Sequence, residues 1–262
     1  MTTVANVKQS EASHFYLKDG TPFYEVPYKD PTKGMRKATL ADARKVNALP
    51  SVTTILRILD KPALTRWLIE QAVLAVLTTP RLDGEVLDVF IERVLLVDKE
   101  QDKERDAAAE LGTKIHAAME LALKGMEFDD TLAPYVLTVM AKIRPMGAFI
   151  NSELIITGDG YAGRTDAILF NDATKTLIVL DFKSTKKLPK ASYDEHRLQL
   201  AAYGNALPNV MGEHIETANV YISTTEPGMV AVCMNNAESV KRDYAAFKHA
   251  LALWQHLNNY VA

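Results

Sequence analysis

The sequence predicts a mixed α/β fold: a central mixed β-sheet flanked by helices, preceded by a helical part. Three observations carry this reading. From Glu153 onward, strand-like and helix-like segments follow in the order strand, strand, strand, helix, strand, strand, helix. Ile178, Val179, Leu180 and Phe182 form a near-continuous apolar run, the mark of a strand covered on both faces. Val240, Tyr244, Phe247, Leu251 and Trp254 recur at spacings of four and three, so the final helix lies on the core.

Taken in chain order, residues 14–26 read as a hairpin around Asp19-Gly20, and the polar, basic stretch 28–45 reads as a mobile loop. Ser51 is a candidate cap for a helix opening at Val52. Residues 64–77, 84–97, 103–124 and 132–149 read as helices, and 153–157, 162–170 and 176–183 as the first three core strands. Ser192 with Glu195 three residues on is a capping-box signature for a helix starting near Tyr193 and ending near Leu207. Two more strands, 217–223 and 229–234, precede the last helix, 237–259. The expected organisation is an N-terminal hairpin and helical part, 1–100, covering a cleft in a core formed by 101–262, the two making one compact unit.

Composition bounds the function. The chain has 262 residues, 48% of them hydrophobic, enough for one large domain. No apolar run reaches the ~18 residues of a membrane span, and no basic-then-apolar leader opens the sequence, so a cytoplasmic protein is expected. The single cysteine, Cys233, excludes an internal disulfide and a four-cysteine iron–sulfur cluster. The net charge of −3 argues against a chain that coats polyanions, so contact with one would be local and salt-sensitive.

The chemistry is concentrated in Gly163-Arg164-Thr165-Asp166-Ala167-Ile168 and in Leu180-Asp181-Phe182-Lys183. With the intervening turn centred between Ala173 and Thr174, residues whose numbers sum to 347 face one another, and Asp166 falls opposite Asp181. Directly paired antiparallel residues have Cα atoms roughly 4.5–5.5 Å apart, and Lys183 shares the face of Asp181. Like charges across a ladder repel. The cluster is therefore either a surface group neutralised by Lys183 or a set of hard oxygen ligands for Mg²⁺ or Mn²⁺, and the apolar run leading into it favours a site.

Glu153, Gly163-Arg164-Thr165-Asp166, Asp181-Phe182-Lys183 and Gln199-Leu200-Ala201-Ala202-Tyr203 together resemble the PD-(D/E)XK nuclease superfamily. Within it they resemble the RecB-like exonuclease branch, with its phage-type and mitochondrial genome maintenance exonucleases. Gly112-Thr113-Lys114-Ile115-His116 matches the branch's upstream Gly-x-x-x-His, and Pro50-Ser51-Val52-Thr53 is similar to a segment recurrent near the start of this group. The resemblance covers roughly residues 110–205. One departure is Asp181, where Glu is the commoner residue.

The resemblance implies a restriction-endonuclease-like core and Mg²⁺- or Mn²⁺-dependent hydrolysis of DNA phosphodiesters from a free end, in recombination, repair or phage DNA processing. Asp166, Asp181, Lys183 and Glu153 would be catalytic, and His116, Asp166 and Asp181 would hold one ion, with Glu153 completing the site or binding a second. Lys183 would orient or deprotonate the attacking water. Gln199 and Tyr203 would hold the strand near the metal, and Lys186, Lys187, Lys190 and Arg197 would follow its phosphates. The substrate would be single- or double-stranded DNA, with RNA not excluded. A recombination or single-strand-binding protein is a partner class, and the compartment would be a bacterial or phage-infected cell. Taken singly, the residues have ordinary readings: His116 as a helix-edge histidine, Glu153 as a strand-entry acid, Tyr203 as core, the lysines as a solvated loop. Three other functions remain open at this stage: a structure- or sequence-directed endonuclease of the same superfamily, a catalytically silent DNA-binding protein with this fold, and a metal-dependent enzyme with a substrate other than nucleic acid.

Overall fold

The computed structural model describes residues 14–208 and 214–260; residues 1–13 of the expected N-terminal part lie outside them. The fold is mixed α/β, with a five-stranded mixed sheet between two layers of helices. Four short strands open the chain, β1 (Phe15–Tyr16), β2 (Glu25–Pro27), β3 (Met35–Lys37) and β4 (Leu49–Pro50), with α1 (Leu40–Lys45) ahead of β4. Helices α2 (Val52–Leu56), α3 (Pro62–Thr78), α4 (Leu87–Leu123) and α5 (Ala133–Ile143) follow. Next come β5 (Ala148–Ser152), β6 (Ile155–Gly158), β7 (Tyr161–Arg164), β8 (Ala167–Asn171), β9 (Thr176–Thr185) and α6 (Asp194–Ala206). The chain closes with β10 (His214–Ser223), β11 (Val230–Asn235) and α7 (Ala237–Leu257).

The main sheet runs β11-β10-β9-β8-β5, parallel only between β9 and β10, where α6 provides the crossover. Alternation along β9 explains why it reads as one apolar run. Val179 packs in a cluster with α2, α6 and α7, while Ile178, Leu180 and Phe182 pack in another with α4 and α5. The expected stripe of α7 is core: Val240, Phe247, Leu251 and Trp254 are buried.

Several boundaries differ from expectation, each for a local reason. The two helices expected at 84–97 and 103–124 are one, α4, because the charged run 98–106 contains no glycine or proline and is rich in good helix formers. The helix expected to reach residue 149 stops at Ile143, since Pro145 and Gly147 follow and residue 148 already starts β5. The stretch expected as a mobile loop holds β3 and α1; Thr39 and Asp42 form a capping box, and Arg36 grips Asp42 with two hydrogen bonds of 2.6 and 2.9 Å. The expected turn around Asp19-Gly20 does form, with Tyr16 bridged antiparallel to Pro22 and Phe23 N donating to the Phe15 carbonyl at 2.8 Å, while the longer pairings of this part are β1 with β4 and β2 with β3.

The Ser192–Glu195 box does not form. Tyr193 is the N-cap of α6, its amide donating to the Tyr221 hydroxyl at 3.2 Å, and Glu195 accepts instead from Lys61 at 2.7 Å. Ser51 does cap α2, accepting from Thr54 N at 3.0 Å. The part ahead of α4 is therefore a mixture of short strands and helices, fastened to the core by a parallel bridge between Ser51 and Ala162.

Candidate active site

The β8–β9 register places Ala167 opposite Leu180 and Asn171 opposite Thr176, so paired numbers sum to 347 along the whole ladder. The ladder stops at Ala167. The strand expected at 162–170 breaks at Thr165–Asp166, and the neighbouring strand breaks beside it at Glu153–Leu154. Glu153 has φ 53°, its amide donates to the Asp166 carbonyl at 3.3 Å, and Thr165 N donates to the Leu154 carbonyl at 2.9 Å. Beyond this double kink, β6 and β7 leave the main sheet as a separate hairpin. A positive φ at a non-glycine residue is strained backbone, which marks the kink as a built feature. The kink opens the sheet end where the acidic residues lie.

There Asp166 Oδ2 accepts from the amide of Phe182 at 2.7 Å, with His116 Nδ1 3.8 Å from the same oxygen. Burial, reinforced by the charge of Asp181, pushes the Asp166 carboxyl up to about 7. Asp181 is 2% exposed and caged by donors. Its Oδ1 accepts from Lys183 Nζ at 2.5 Å and Gln199 Nε2 at 3.3 Å, and its Oδ2 from Asn219 Nδ2 at 3.2 Å. Gln199 Nε2 also donates to the Tyr203 hydroxyl at 3.0 Å. Burial works to lower the Lys183 ammonium, but Asp181 and Asp166 outweigh it and the group is raised. Burial and then the nearby Lys183 charge hold His116 below the ordinary histidine value.

Two glycines make this arrangement possible. A β-carbon at Gly163 would collide with the Tyr203 ring, and one at Gly112 would meet the Ser184 hydroxyl. Gly112 thus lets α4 settle against β9, one turn before it presents His116 to the site.

Other expected site residues are placed differently. Glu153 stands at the kink but pairs with Arg164 at 2.8 Å; burial raises its pKa against the pull of that guanidinium. Gln199 and Tyr203 are buried rather than lying on an open face, and they reach the site through Asp181. Lys186, Lys187 and Lys190 are exposed on the segment after β9. Arg197 is taken up by Asp194 at 2.9 Å and Asp243 at 3.1 Å, a clamp between α6 and α7.

Sequence reasoning missed Asn219. Its signal was a lone amide inside the apolar run Ala218-Asn219-Val220-Tyr221-Ile222, paired in parallel register with Asp181. Its Oδ1 is buried without a hydrogen-bond partner. Lys61 was missed too. With Leu56 and Arg57 it lines a cavity of about 200 Å³ whose other wall includes Lys183, His196 and Gln199.

Among the described residues, no three His, Cys, Asp or Glu side chains stand ready as a metal cage. No family model matches this chain, and no curated protein does. Among solved structures it is similar to SSO0001, at 17% identity over 71% of this chain and 86% of that one, with a TM-score of 0.29. It is also similar to a candidate exonuclease from Eubacterium rectale, at 10% identity over 56% of this chain and 67% of that one, with a TM-score of 0.38.

Proposed function

We propose that this protein is a metal-dependent deoxyribonuclease, acting as an exonuclease from a free DNA end. The observation that carries the reading is the gathering of Asp166, Asp181 and Lys183 at the opened end of a sheet, with His116 alongside. Burial first, and then the neighbouring Asp181 charge, disfavours ionisation of Asp166. A divalent cation removes that penalty. The donor set of carboxylate oxygens and a neutral imidazole suits Mg²⁺ or Mn²⁺, so Asp166, Asp181 and His116 would hold the ion. When bound, such an ion lowers the pKa of water and offsets charge on the phosphate.

The protein's own groups divide the remaining work. Lys183, whose charge both carboxylates favour, would orient the attacking water or stabilise charge developing on the phosphate. Gln199 and Asn219 fix both oxygens of Asp181, holding its rotamer against the pull of Lys183. Tyr203 holds Gln199 in turn. The exposed Lys186, Lys187 and Lys190 supply sequence-independent phosphate contacts that weaken with salt.

The test uses end-labelled linear and covalently closed DNA, single- and double-stranded, with Mg²⁺, Mn²⁺ or a chelator. The reading expects metal-dependent cleavage of linear DNA, little cleavage of circles, and its loss in Asp181→Asn and Lys183→Ala. Circles opened as fast as linear DNA is digested would replace the exonuclease by an endonuclease. Full cleavage by Asp181→Asn under Mg²⁺ would remove the assignment of the site to Asp181, and no cleavage of any of these DNAs by the parent protein with either metal would remove the nuclease assignment.

A further inference from the structure

Away from the carboxylates, the first described residues form an aromatic and cationic group that the proposed chemistry leaves unused. His14 is exposed and its ring stands 4.8 Å from that of Tyr24, centroid to centroid, at 35°. Tyr24 is half-buried and rests edge-on against the buried Tyr16, to whose hydroxyl it donates at 2.6 Å. The His14 backbone is held on both sides: its amide donates to Thr54 Oγ1 at 3.0 Å, and Ser51 N donates to its carbonyl at 2.9 Å. An exposed ring on so fixed a backbone is prepared for a ligand rather than for the core.

Three exposed cations surround the pair. Lys37 lies on β3, Arg57 ends α2, and Arg164 ends β7 two residues before Asp166. The His14 imidazole is covered on one side only, and that partial burial first, then the charges of Arg57, Lys37 and Arg164, hold it below the ordinary value, so the ring is neutral near pH 7. Arg57 also lines the cavity that reaches Lys183, and Arg164 pairs with Glu153 at the kink. Arg57 and Arg164 thus each act on His14 and each also stand beside residues of the candidate site.

Rings interleaved with cations are what an unstacked strand needs, since each base has a π-face and each nucleotide a phosphate. A duplex keeps its bases stacked on one another and offers such rings nothing. We infer that His14 and Tyr24 form a stacking seat for an unpaired base of the strand at the active site, and that the substrate is a single-stranded end. This deepens the proposed nuclease reading and rests on it.

The experiment measures binding with a chelator present, so that it is independent of cleavage. Full-length protein is titrated with fluorescent dT12 and with a twelve-unit abasic strand of the same charge. Stacking is worth ~1–3 kcal/mol per base, so dT12 should bind at least about fivefold more tightly than the abasic strand. His14→Ala should erase most of that ratio without weakening abasic binding. Tyr24→Phe, which keeps the ring, should retain the ratio, and Tyr24→Leu should lose it; melting curves confirm that each variant folds. Equal binding of dT12 and the abasic strand by the parent protein would overturn the seat, as would an unchanged ratio in His14→Ala. Duplex bound as tightly as dT12, with no effect of His14→Ala, would overturn the single-strand assignment. A stacking preference in a protein that never cleaves would leave the seat standing and remove the nuclease reading; cleavage without the preference would do the reverse.

Discussion

Gly163 lies against the ring of Tyr203 with no room for a β-carbon between them. The ring's hydroxyl holds Gln199, and Gln199 holds Asp181, so one missing methyl on β7 sets the orientation of a carboxylate on β9. Gly163→Ala should therefore lower cleavage by at least about tenfold and cost about 1–3 kcal/mol of stability through overpacking. Adding Tyr203→Leu should restore stability but not activity. Denaturant midpoints and initial rates on linear DNA check this; a Gly163→Ala protein as active as the parent would break the chain of contacts.

Asp166 gives the metal-free protein a pH signature. Its carboxyl is raised from about 3.8 to about 7 in the fold, so the folded state binds the proton more tightly than the unfolded one. The stability it contributes is fully present below pH ~4 and is lost as pH rises through ~7. Asp166→Asn should be near-neutral at pH 4 and stabilising, on the order of 2 kcal/mol, at pH 8 in chelator. Mn²⁺ at pH 8 should raise the melting temperature of the parent protein and not of the variant. Equal metal-induced shifts in both would remove Asp166 from the ligand set.

His116 predicts an acid limb. Its pKa is held below 6.5 by burial and by Lys183, so the neutral ring persists to lower pH than in a free histidine. Any loss of activity in acid that belongs to His116 should therefore lie below pH 6.5 and be absent from His116→Ala, whereas protonation of Asp166 would affect both proteins alike. His116→Ala should raise the metal concentration needed for half-maximal rate by about 10–100-fold while leaving DNA affinity in chelator unchanged. An identical metal curve in the variant would return His116 to a packing role against Phe182, its edge-on neighbour at 6.1 Å.

Asn219 touches Asp181 and not the solvent. Asn219→Ala should reduce the turnover rate by about tenfold or more with little change in DNA affinity, since the carboxylate loses a fixed orientation rather than its charge. Asn219→Asp, which sets a second buried carboxylate against Asp181, should be the more damaging of the two in both rate and stability. The order of the two variants, measured by steady-state kinetics and thermal melts, is the discriminating result.

Much of this arrangement was legible in the sequence. The turn at Asn171–Lys175 fixes the β8–β9 register by its length, and the uninterrupted run from Ile178 to Phe182 announces a strand buried on both faces. What was not legible depends on contacts distant in sequence. The kink at Glu153 and Asp166 arises where two strands break together; Gly163, just before it, reads in the sequence as part of a continuous strand, and its role as space for Tyr203 depends on the packing of α6. Ser192 and Glu195 carry the right letters for a box, but Lys61 takes Glu195 away. Asn219 was invisible because a lone amide in a strand gains meaning only when parallel pairing sets it beside Asp181. Gln199 and Tyr203 share a helix face as their spacing requires, yet only the packing of α6 decides that the face points inward.

The parallel pairing of β9 with β10 also has a consequence in time. The hairpin bearing Asp166, Asp181 and Lys183 is built from residues close in sequence, whereas Asn219 reaches Asp181 only through the α6 crossover and the pairing of β10. Pairings that wait on such a crossover close late, because the intervening chain must first be ordered. During synthesis from the N-terminus, a ribosome-bound chain lacking β10 would carry the acidic residues without the amide that aims one of them. On the proposed reading, the carboxylates would then be in place before the contact that orients Asp181 is made.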